Sequence, residues 1–497
     1  MAQAPVNPIT VEVVRKGLAH IANEMATVLR KTSYNMMIYE VRDYCVGIVD
    51  PGGAILSQNF GALPIFLADL GPAIVDGVRM HGKNGFQPGD VLIMNHPYVC
   101  GQHLNNVVVY TPFFHGGEQV AFLAVRAHWI DIGGTRVGFG YSGTREIYEE
   151  GLQFRSLKLY RGDQPNQDLF QLISDNVRFA DSCLGDLRAQ IAACRVGDRG
   201  LTQLVNRYGL DVFSRCVRSI WDQSEALARE QIAKITPGKY EAEAMFDSDG
   251  VDLNQPVPLK VKVEVAGGEM AIDFSEISDQ VKGSINSGES GAVAAARVAF
   301  KSLISPFSPI DEGCFRPLKI LIPAGKILSA TPPAPVGNWS RTLPTVIDLI
   351  LKALAPALPD KIAAGHKGDM GGYAFFGNDP RTGRRFLCQT IMGGGLGRAR
   401  ARGRRKRHGV DLSGGRAERA GGAARAILSR DDRTTPAAGR KRWHGQISRR
   451  PGYRDHRTNA LRCFRQHQCR ANLDAAVGTL RWTLRRAGQS FGQARAG

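Results

Sequence analysis

Val14, Leu18, Ile21, Met25, Val28 and Leu29 recur at spacings of three and four, which puts them on one face of a helix. The pattern predicts an N-terminal amphipathic helix capped by Thr10 and ending near Ser33. Residues 44–56 read as a hairpin around Asp50-Pro51-Gly52-Gly53, because that run supplies a turn between two apolar stretches. A second helix is expected at 67–80, then three strands at 90–95, 106–114 and 120–132. From 166 to 235 the period is helical, with Leu187, Ile191, Cys194, Leu201, Leu204 and Val205 as core contacts and Pro237-Gly238 as the stop. Leu259, Val261, Val263 and Val265 alternate toward a Gly267-Gly268 turn, and Met270, Ile272 and Phe274 return from it, which is a half-buried hairpin. Helices at 290–304 and 343–354 flank a Pro-rich loop.

The expected class is α+β: mixed sheets, the amphipathic N-terminal helix and a helical insert, with residues after about 396 irregular or disordered. The expected organisation is an N-terminal α+β domain at 1–165, a helical segment at 166–236, a C-terminal α+β domain at 237–395 and a tail at 396–497.

Charge sharpens the last boundary. Of the chain's 64 Lys+Arg and 46 Asp+Glu, 26 and 6 lie from Arg398 onward, leaving 38 and 40 before it. The net +18 therefore belongs to the tail, which carries +20, and the body carries −2. A basic arm that neutralises phosphates is one reading of such a tail. Against it, only Lys406 and Lys441 are lysines among the 26, although either basic side chain serves phosphate binding. Arg, Gly and Ala without Lys is also what a GC-rich gene yields out of frame.

The start Met-Ala-Gln-Ala-Pro-Val-Asn-Pro has no basic or apolar leader region, and no apolar run reaches membrane-spanning length. Seven cysteines before the break are scattered with no C-x-x-C pair, the pattern of buried thiols in a cytoplasmic protein.

The densest polar run is Asn95-His96-Pro97-Tyr98-Val99-Cys100-Gly101-Gln102-His103-Leu104-Asn105-Asn106, followed by Arg126-Ala127-His128-Trp129-Ile130-Asp131-Ile132-Gly133-Gly134. His128 and Asp131 stand at the end of an apolar strand, where side chains can leave the sheet and face a cleft. Imidazole and carboxylate together suit Mn²⁺, Fe²⁺ or Zn²⁺, and Glu40 and Asp43 could add carboxylates. The alternative is that His128 hydrogen-bonds Asp131 and caps a turn. Cys100 is either a nucleophile or a buried structural thiol. No Walker-type phosphate loop occurs.

These runs, with Glu149-Glu150-Gly151-Leu152, Asp175-Asn176-Val177-Arg178 and Gly185-Asp186-Leu187-Arg188-Ala189-Gln190, resemble the hydantoinase B/oxoprolinase family across about residues 7–395. The resemblance implies a B-type subunit of an ATP-dependent cyclic amide hydrolase, opening hydantoin, N-methylhydantoin or 5-oxoproline rings with a hydantoinase A-like ATP-binding partner. By likeness to the related acetone carboxylase large subunit it implies a divalent metal held by Glu40, His103, Asn106 and His128. Catalysis would fall to His103, His128 and Asp131. Two positions depart from the pattern: Asn106, where Asp is common, and Phe66, where His is common. An acetone/acetophenone-type carboxylase is the alternative on the same scaffold. A nucleic-acid-binding protein acting through its tail is the alternative of another class.

The resemblance also bears on the tail. A one-base shift through residues 441–452 permits (Asn/Ser)-Gly-Gly-Thr-Gly-Lys-(Phe/Ser/Tyr)-Arg-Gly-Gly-Leu-Gly, and through 416–422 it permits Val-Arg-Asn-Ala-Pro-Val-Glu. Both look like C-terminal motifs of that family. The expectation is a frameshift within the codons of Gly393-Gly394-Gly395, and with it a product that is inactive or folds only with its partner.

Overall fold

The computed structural model describes residues 6–138, 141–363, 365, 371–380 and 382–392. Its helices are α1 (Pro8–Thr32), α2 (Met36–Tyr39), α3 (Gly71–His81), α4 (Pro97–Cys100), α5 (Gln167–Asn176), α6 (Ala180–Tyr208), α7 (Leu210–Ile232), α8 (Glu289–Ile304) and α9 (Trp339–Leu354). Its strands are β1 (Tyr44–Val49), β2 (Ile55–Gln58), β3 (Val91–Met94), β4 (Asn106–His115), β5 (Glu118–His128), β6 (Leu157–Arg161), β7 (Gln164–Pro165), β8 (Gly238–Phe246), β9 (Val257–Ala266), β10 (Glu269–Asp273), β11 (Leu318–Leu321), β12 (Gly371–Asn378) and β13 (Arg385–Met392). Mixed helices and sheets are the α+β class expected.

α1 starts earlier than Thr10. Asn7 accepts the Ile9 amide at 2.8 Å, and Pro8 needs no donor at the first helical position. Val14, Leu18, Ile21, Met25 and Leu29 are buried along it, as their spacing requires.

Seven strands form an antiparallel sheet in the order β2-β1-β5-β4-β3-β6-β7. Alternation along β5 divides its side chains between two cores. Leu123, Val125 and Ala127 pack beneath α1, α6 and α7, whereas Phe122 and Ala124 join the core shared with β8–β10, α8 and α9. Arg126 and His128 follow the same alternation and fall on this second face.

The second sheet runs β11-β10-β9-β8, with β10 and β11 parallel. β8 lies at its edge, and Ala242 is its single buried residue. α9 begins a turn before the expected 343 and carries Pro344 inside it. Residues up to Tyr373 form one compact unit, and 374–390, most of the β12–β13 hairpin, belong to another. The expected boundaries at 165 and 236 fall at the end of β7 and between α7 and β8. The Arg-rich tail and the expected break at Gly393–Gly395 lie outside the described residues.

Candidate active site

The site begins as a row across the first sheet. His128 closes β5 directly opposite Asn106 on β4, and its amide donates to the Asp43 carbonyl at 3.1 Å on the β1 side. Residues paired across antiparallel strands share a face, so Asp43, His128 and Asn106 line up on the face that meets the second core. Arg42 turns the chain into this row with φ 63°.

The row is braced from the helical layer. Asp186 accepts the amides of Tyr34 (2.7 Å) and Asn35 (3.2 Å), and Asn35 donates to the His128 carbonyl at 2.8 Å. Gln190 accepts the Trp129 indole N–H at 2.9 Å and donates to the carbonyls of Val107 and Val125. The conspicuous run 185–190 is thus a bracket on the strand ends that carry the site.

His103 reaches the row from the turn after α4. Gly101 ends that helix with φ 75°, and a Cβ there would come within 2.0 Å of the Gly291 amide nitrogen of α8. The chain then brings His103 edge to face with His128, ring centroids 5.0 Å apart at 75°, and against Trp339 at 5.4 Å. His103 is 4 % exposed and His128 0 %. Burial pushes the His103 imidazole down to about 4, with the Asn106 side chain and Gly337 backbone working in the opposite direction. Burial, then the neighbouring His103, pushes His128 well below its usual range. Both rings are therefore neutral at physiological pH, the form that binds a metal or accepts a proton.

Behind the imidazoles runs a chain of buried polar groups. Asn106 Nδ2 donates to Gln102 Oε1 at 2.7 Å, and Gln102 Nε2 donates to Asp69 Oδ2 at 3.1 Å. Asp69 also pairs with Arg126, both side chains fully buried. Phe66 lies under the Arg126 guanidinium, 5.3 Å from ring centroid to Cζ, and 6.4 Å from Trp339. Asp43 has one carboxylate oxygen, Oδ1, covered by protein. Burial raises its carboxyl to about 7, against the pull of Arg126.

A narrow cavity of about 40 Å³ opens beside His103, lined among others by Asn105, Gly134, Arg136, Thr144, Glu150 and Gly337. Glu150 accepts the Gly337 amide at 2.8 Å, the Val336 amide at 3.3 Å and the Thr144 hydroxyl at 3.0 Å. Burial raises its carboxyl to about 7 even with those donors in place.

Of the residues that the sequence singles out, His103, His128 and Asn106 come together. Glu40 caps the end of α2 and is exposed, so the expected carboxylate ligand does not join them. Asp131 is held by the Arg178 guanidinium at 2.9 Å and by the Arg178 amide. Cys100 is buried and its thiol is pushed up to about 12, which leaves it protonated. Asp69, Arg126, Trp339 and Glu150 join the site without having been expected in it. Glu150 has a signal in the Glu149–Leu152 run, but no spacing links Asp69 or Trp339 to the histidines.

Among the described residues no group of three or more His, Cys, Asp or Glu side chains is arranged to hold a metal ion. The groups that come together are two neutral imidazoles and the amide of Asn106, whose side chain also hydrogen-bonds His103. Two nitrogens and one oxygen fit a divalent ion of intermediate softness with open positions.

An α+β body that buries paired neutral imidazoles at strand ends, next to a cavity, has the build of an enzyme component. The chain belongs to the hydantoinase B/oxoprolinase family, which it matches over residues 7–413. It is 31 % identical over 407 residues to the B component of a putative D-/L-hydantoinase from Pseudomonas sp. (strain NS671), covering 79 % of this chain and 68 % of that protein. The beta component of the caprolactamase of Pseudomonas jessenii is 31 % identical over 402 residues, again 79 % and 68 %. The solved structure of the ATP-dependent caprolactamase from that organism superposes with TM-score 0.72 at 30 % identity, covering 77 % of this chain and 66 % of that one. Nucleotide-free acetone carboxylase gives TM-score 0.73 at 15 % identity, over 84 % of this chain and 57 % of that one, a likeness of fold. The chain spans about two-thirds of the length of these hydantoinase and caprolactamase relatives. Among the described residues no helix is long and apolar enough to cross a membrane.

Proposed function

We propose that the chain is the B-type subunit of an ATP-dependent hydrolase of small cyclic amides, working with an ATP-binding A-type subunit. The observation that carries this reading is the pair His103 and His128, buried, neutral and in edge contact, with His103 lining a cavity. The names of the hydantoinase and caprolactamase relatives supply the substrate class and the idea of a second subunit.

Hydrolysis of an unstrained amide needs an activated carbonyl, a positioned water and a base. ATP use by the partner supplies the first. A neutral imidazole of the pair takes the proton of the attacking water and returns it to the leaving ring nitrogen, the Asn106 oxygen accepts from that water, and the N–H of the second imidazole donates to the ring carbonyl. A divalent ion bound by His103, His128 and Asn106 would lower the pKa of a bound water and polarise the carbonyl. Trp339 and Phe66 close the apolar side of the pair and keep bulk water away from it.

The test is ring opening of hydantoin, N-methylhydantoin, 5-oxoproline and caprolactam with ATP and a hydantoinase A-type subunit present. It is run with the chain as it stands and with the frame restored after residue 395. ATP-dependent ring opening without bicarbonate supports the proposal. ATP turnover that needs bicarbonate, with a carboxylated product, replaces it with the carboxylase reading.

A further inference from the structure

A neutral imidazole carries one proton, and which of its nitrogens holds it decides which one can act as a base. The surroundings of His103 make that choice. His103, Glu150 and Gly337 line the same cavity, and the Gly337 amide donates to Glu150 Oε1 at 2.8 Å. His103 also hydrogen-bonds the Gly337 backbone. With the Gly337 N–H spent on Glu150, the group left for His103 is the carbonyl. The bond favours the charged ring, which is the mark of a bond in which the ring donates. A carbonyl only accepts, so the ring nitrogen facing it carries the proton and the other keeps its lone pair. Asn106, the second hydrogen-bond partner of His103, is an amide that can donate or accept, and by itself it selects neither tautomer.

Glu150 fixes the segment that supplies this carbonyl. One carboxylate accepts two consecutive amides, Val336 at 3.3 Å and Gly337 at 2.8 Å, and so sets the peptide planes on either side of them. The Thr144 hydroxyl, 3.0 Å from Oε1, steadies the carboxylate from its other side. Glu150 reaches the segment from a separate loop: its own amide donates to the Ile147 carbonyl, and the next residue, Gly151, bridges to Gly133. Two residues beyond Gly337, Trp339 packs edge-on against His103, so one short segment brings both an acceptor and an aromatic wall to this ring. We propose that Glu150 is a positioning residue that sets the Gly337 carbonyl against His103, holds that ring in one tautomer and makes His103 the base of the pair, leaving the N–H of His128 for the substrate carbonyl. The inference rests on reading His103 and His128 as the reacting pair. It gives the base an orienting group, as catalytic bases require, with a stretch of backbone between carboxylate and imidazole.

The test reads the tautomer in the full chain at rest, without ATP or partner, so that it is independent of ring opening. Nitrogen-15 spectra of histidine-labelled protein separate protonated from bare ring nitrogens, and His103 is assigned by the signals lost in His103→Asn. The unaltered chain is expected to hold His103 in one tautomer. Glu150→Ala is expected to populate both, whereas Glu150→Gln, which keeps an acceptor oxygen for the Gly337 amide, is expected to restore one. Gly337→Ala stands in should Glu150→Ala not fold: its Cβ would come within 2.9 Å of Glu150 Oε1 and displace the carboxylate, so it too is expected to give both tautomers. In ring opening with ATP and the A-type subunit, Glu150→Ala is expected to lower kcat about tenfold or more at nearly constant KM, the usual scale for loss of an orienting contact, and Glu150→Gln to recover most of that loss. A single, unchanged His103 tautomer in Glu150→Ala or Gly337→Ala makes Glu150 merely structural and overturns the proposal. So does a mixture of tautomers in the unaltered chain. One tautomer with no ring opening by the unaltered chain refutes the hydrolase reading instead.

Discussion

His103 and His128 meet edge to face with ring centroids 5.0 Å apart, one from the turn after α4 and the other from the last position of β5. Two imidazoles that close cannot both be charged without strong repulsion, and burial disfavours even one charge. Their shared neutrality is a consequence of packing, and the chemistry proposed for them depends on it.

Replacement of either histidine by Asn is expected to lower kcat for ATP-dependent ring opening by about a hundredfold or more, the contribution typical of a positioned base. The fold should survive, since Asn retains a polar group of modest size in the same place. Steady-state kinetics beside a thermal melt check this. Activity within about threefold of the unaltered chain removes the pair from the reaction.

The pair also predicts an acid limb in stability. An unfolded His takes up a proton near 6.5, whereas folded His103 does so only near 4. Between those values the unfolded state binds more protons, so stability falls as pH drops from 6.5 to 4. Urea midpoints across that range should show the slope, and His103→Asn should reduce it.

Glu150 predicts the opposite slope. Its folded carboxyl titrates near 7 and an unfolded Glu near 4.5, so the folded state holds the extra proton in between. The stability this contributes is present below 4.5 and is lost as pH rises through 7. In Glu150→Gln the decline between about pH 5 and 8 should flatten, measured by the same urea midpoints.

Arg126 and Asp69 form an ion pair with both side chains fully buried. Arg126→Met strands a buried carboxylate and is expected to destabilise the fold by about 3–5 kcal/mol. The double variant Arg126→Met with Asp69→Leu should recover much of that loss, because no unpaired charge remains. Chemical denaturation of the single and double variants decides the matter.

The tail yields a prediction about charge. A chain ending at residue 395 keeps 38 basic and 40 acidic residues and should lose the salt-sensitive binding to heparin or DNA expected of the 497-residue chain. Retention of such binding by the shortened chain would place a nucleic-acid surface on the body. Sequencing the gene across Gly393–Gly395 tests the proposed frameshift directly: an intact frame there, with tail peptides found by mass spectrometry, removes it.

Elements with strong periodicity are legible in the sequence, and weakly patterned ones are not. α1 and the β9–β10 hairpin follow from spacing alone, since a buried face must repeat with the period of its element. β8 alternates as well, Lys239, Glu241 and Glu243 against Tyr240, Ala242 and Ala244, but it is an edge strand with Ala242 its one buried residue, so its apolar face is too weak to stand out. The pattern starts α9 too late because Pro344 looks like a helix boundary. In the structure the helix starts at Trp339 and Pro344 lies inside it, at the sixth position. The motifs lead to His103, His128 and Asn106, and the same reasoning puts Asp131 with them although Arg178 holds it.

From the sequence alone come the neutral body with its basic tail, the α+β pattern and the family motifs in their order, because charge and periodicity are properties of neighbours along the chain. Strand pairing determines the rest. It sets Asp43, His128 and Asn106 in one row, and the start of α9 brings Trp339 to His103. Burial of that row neutralises the imidazoles, and the Arg126–Asp69–Gln102 chain bonds the amide beside them. Such relations join residues far apart in the chain, and they exist only once solvent has been excluded from between them.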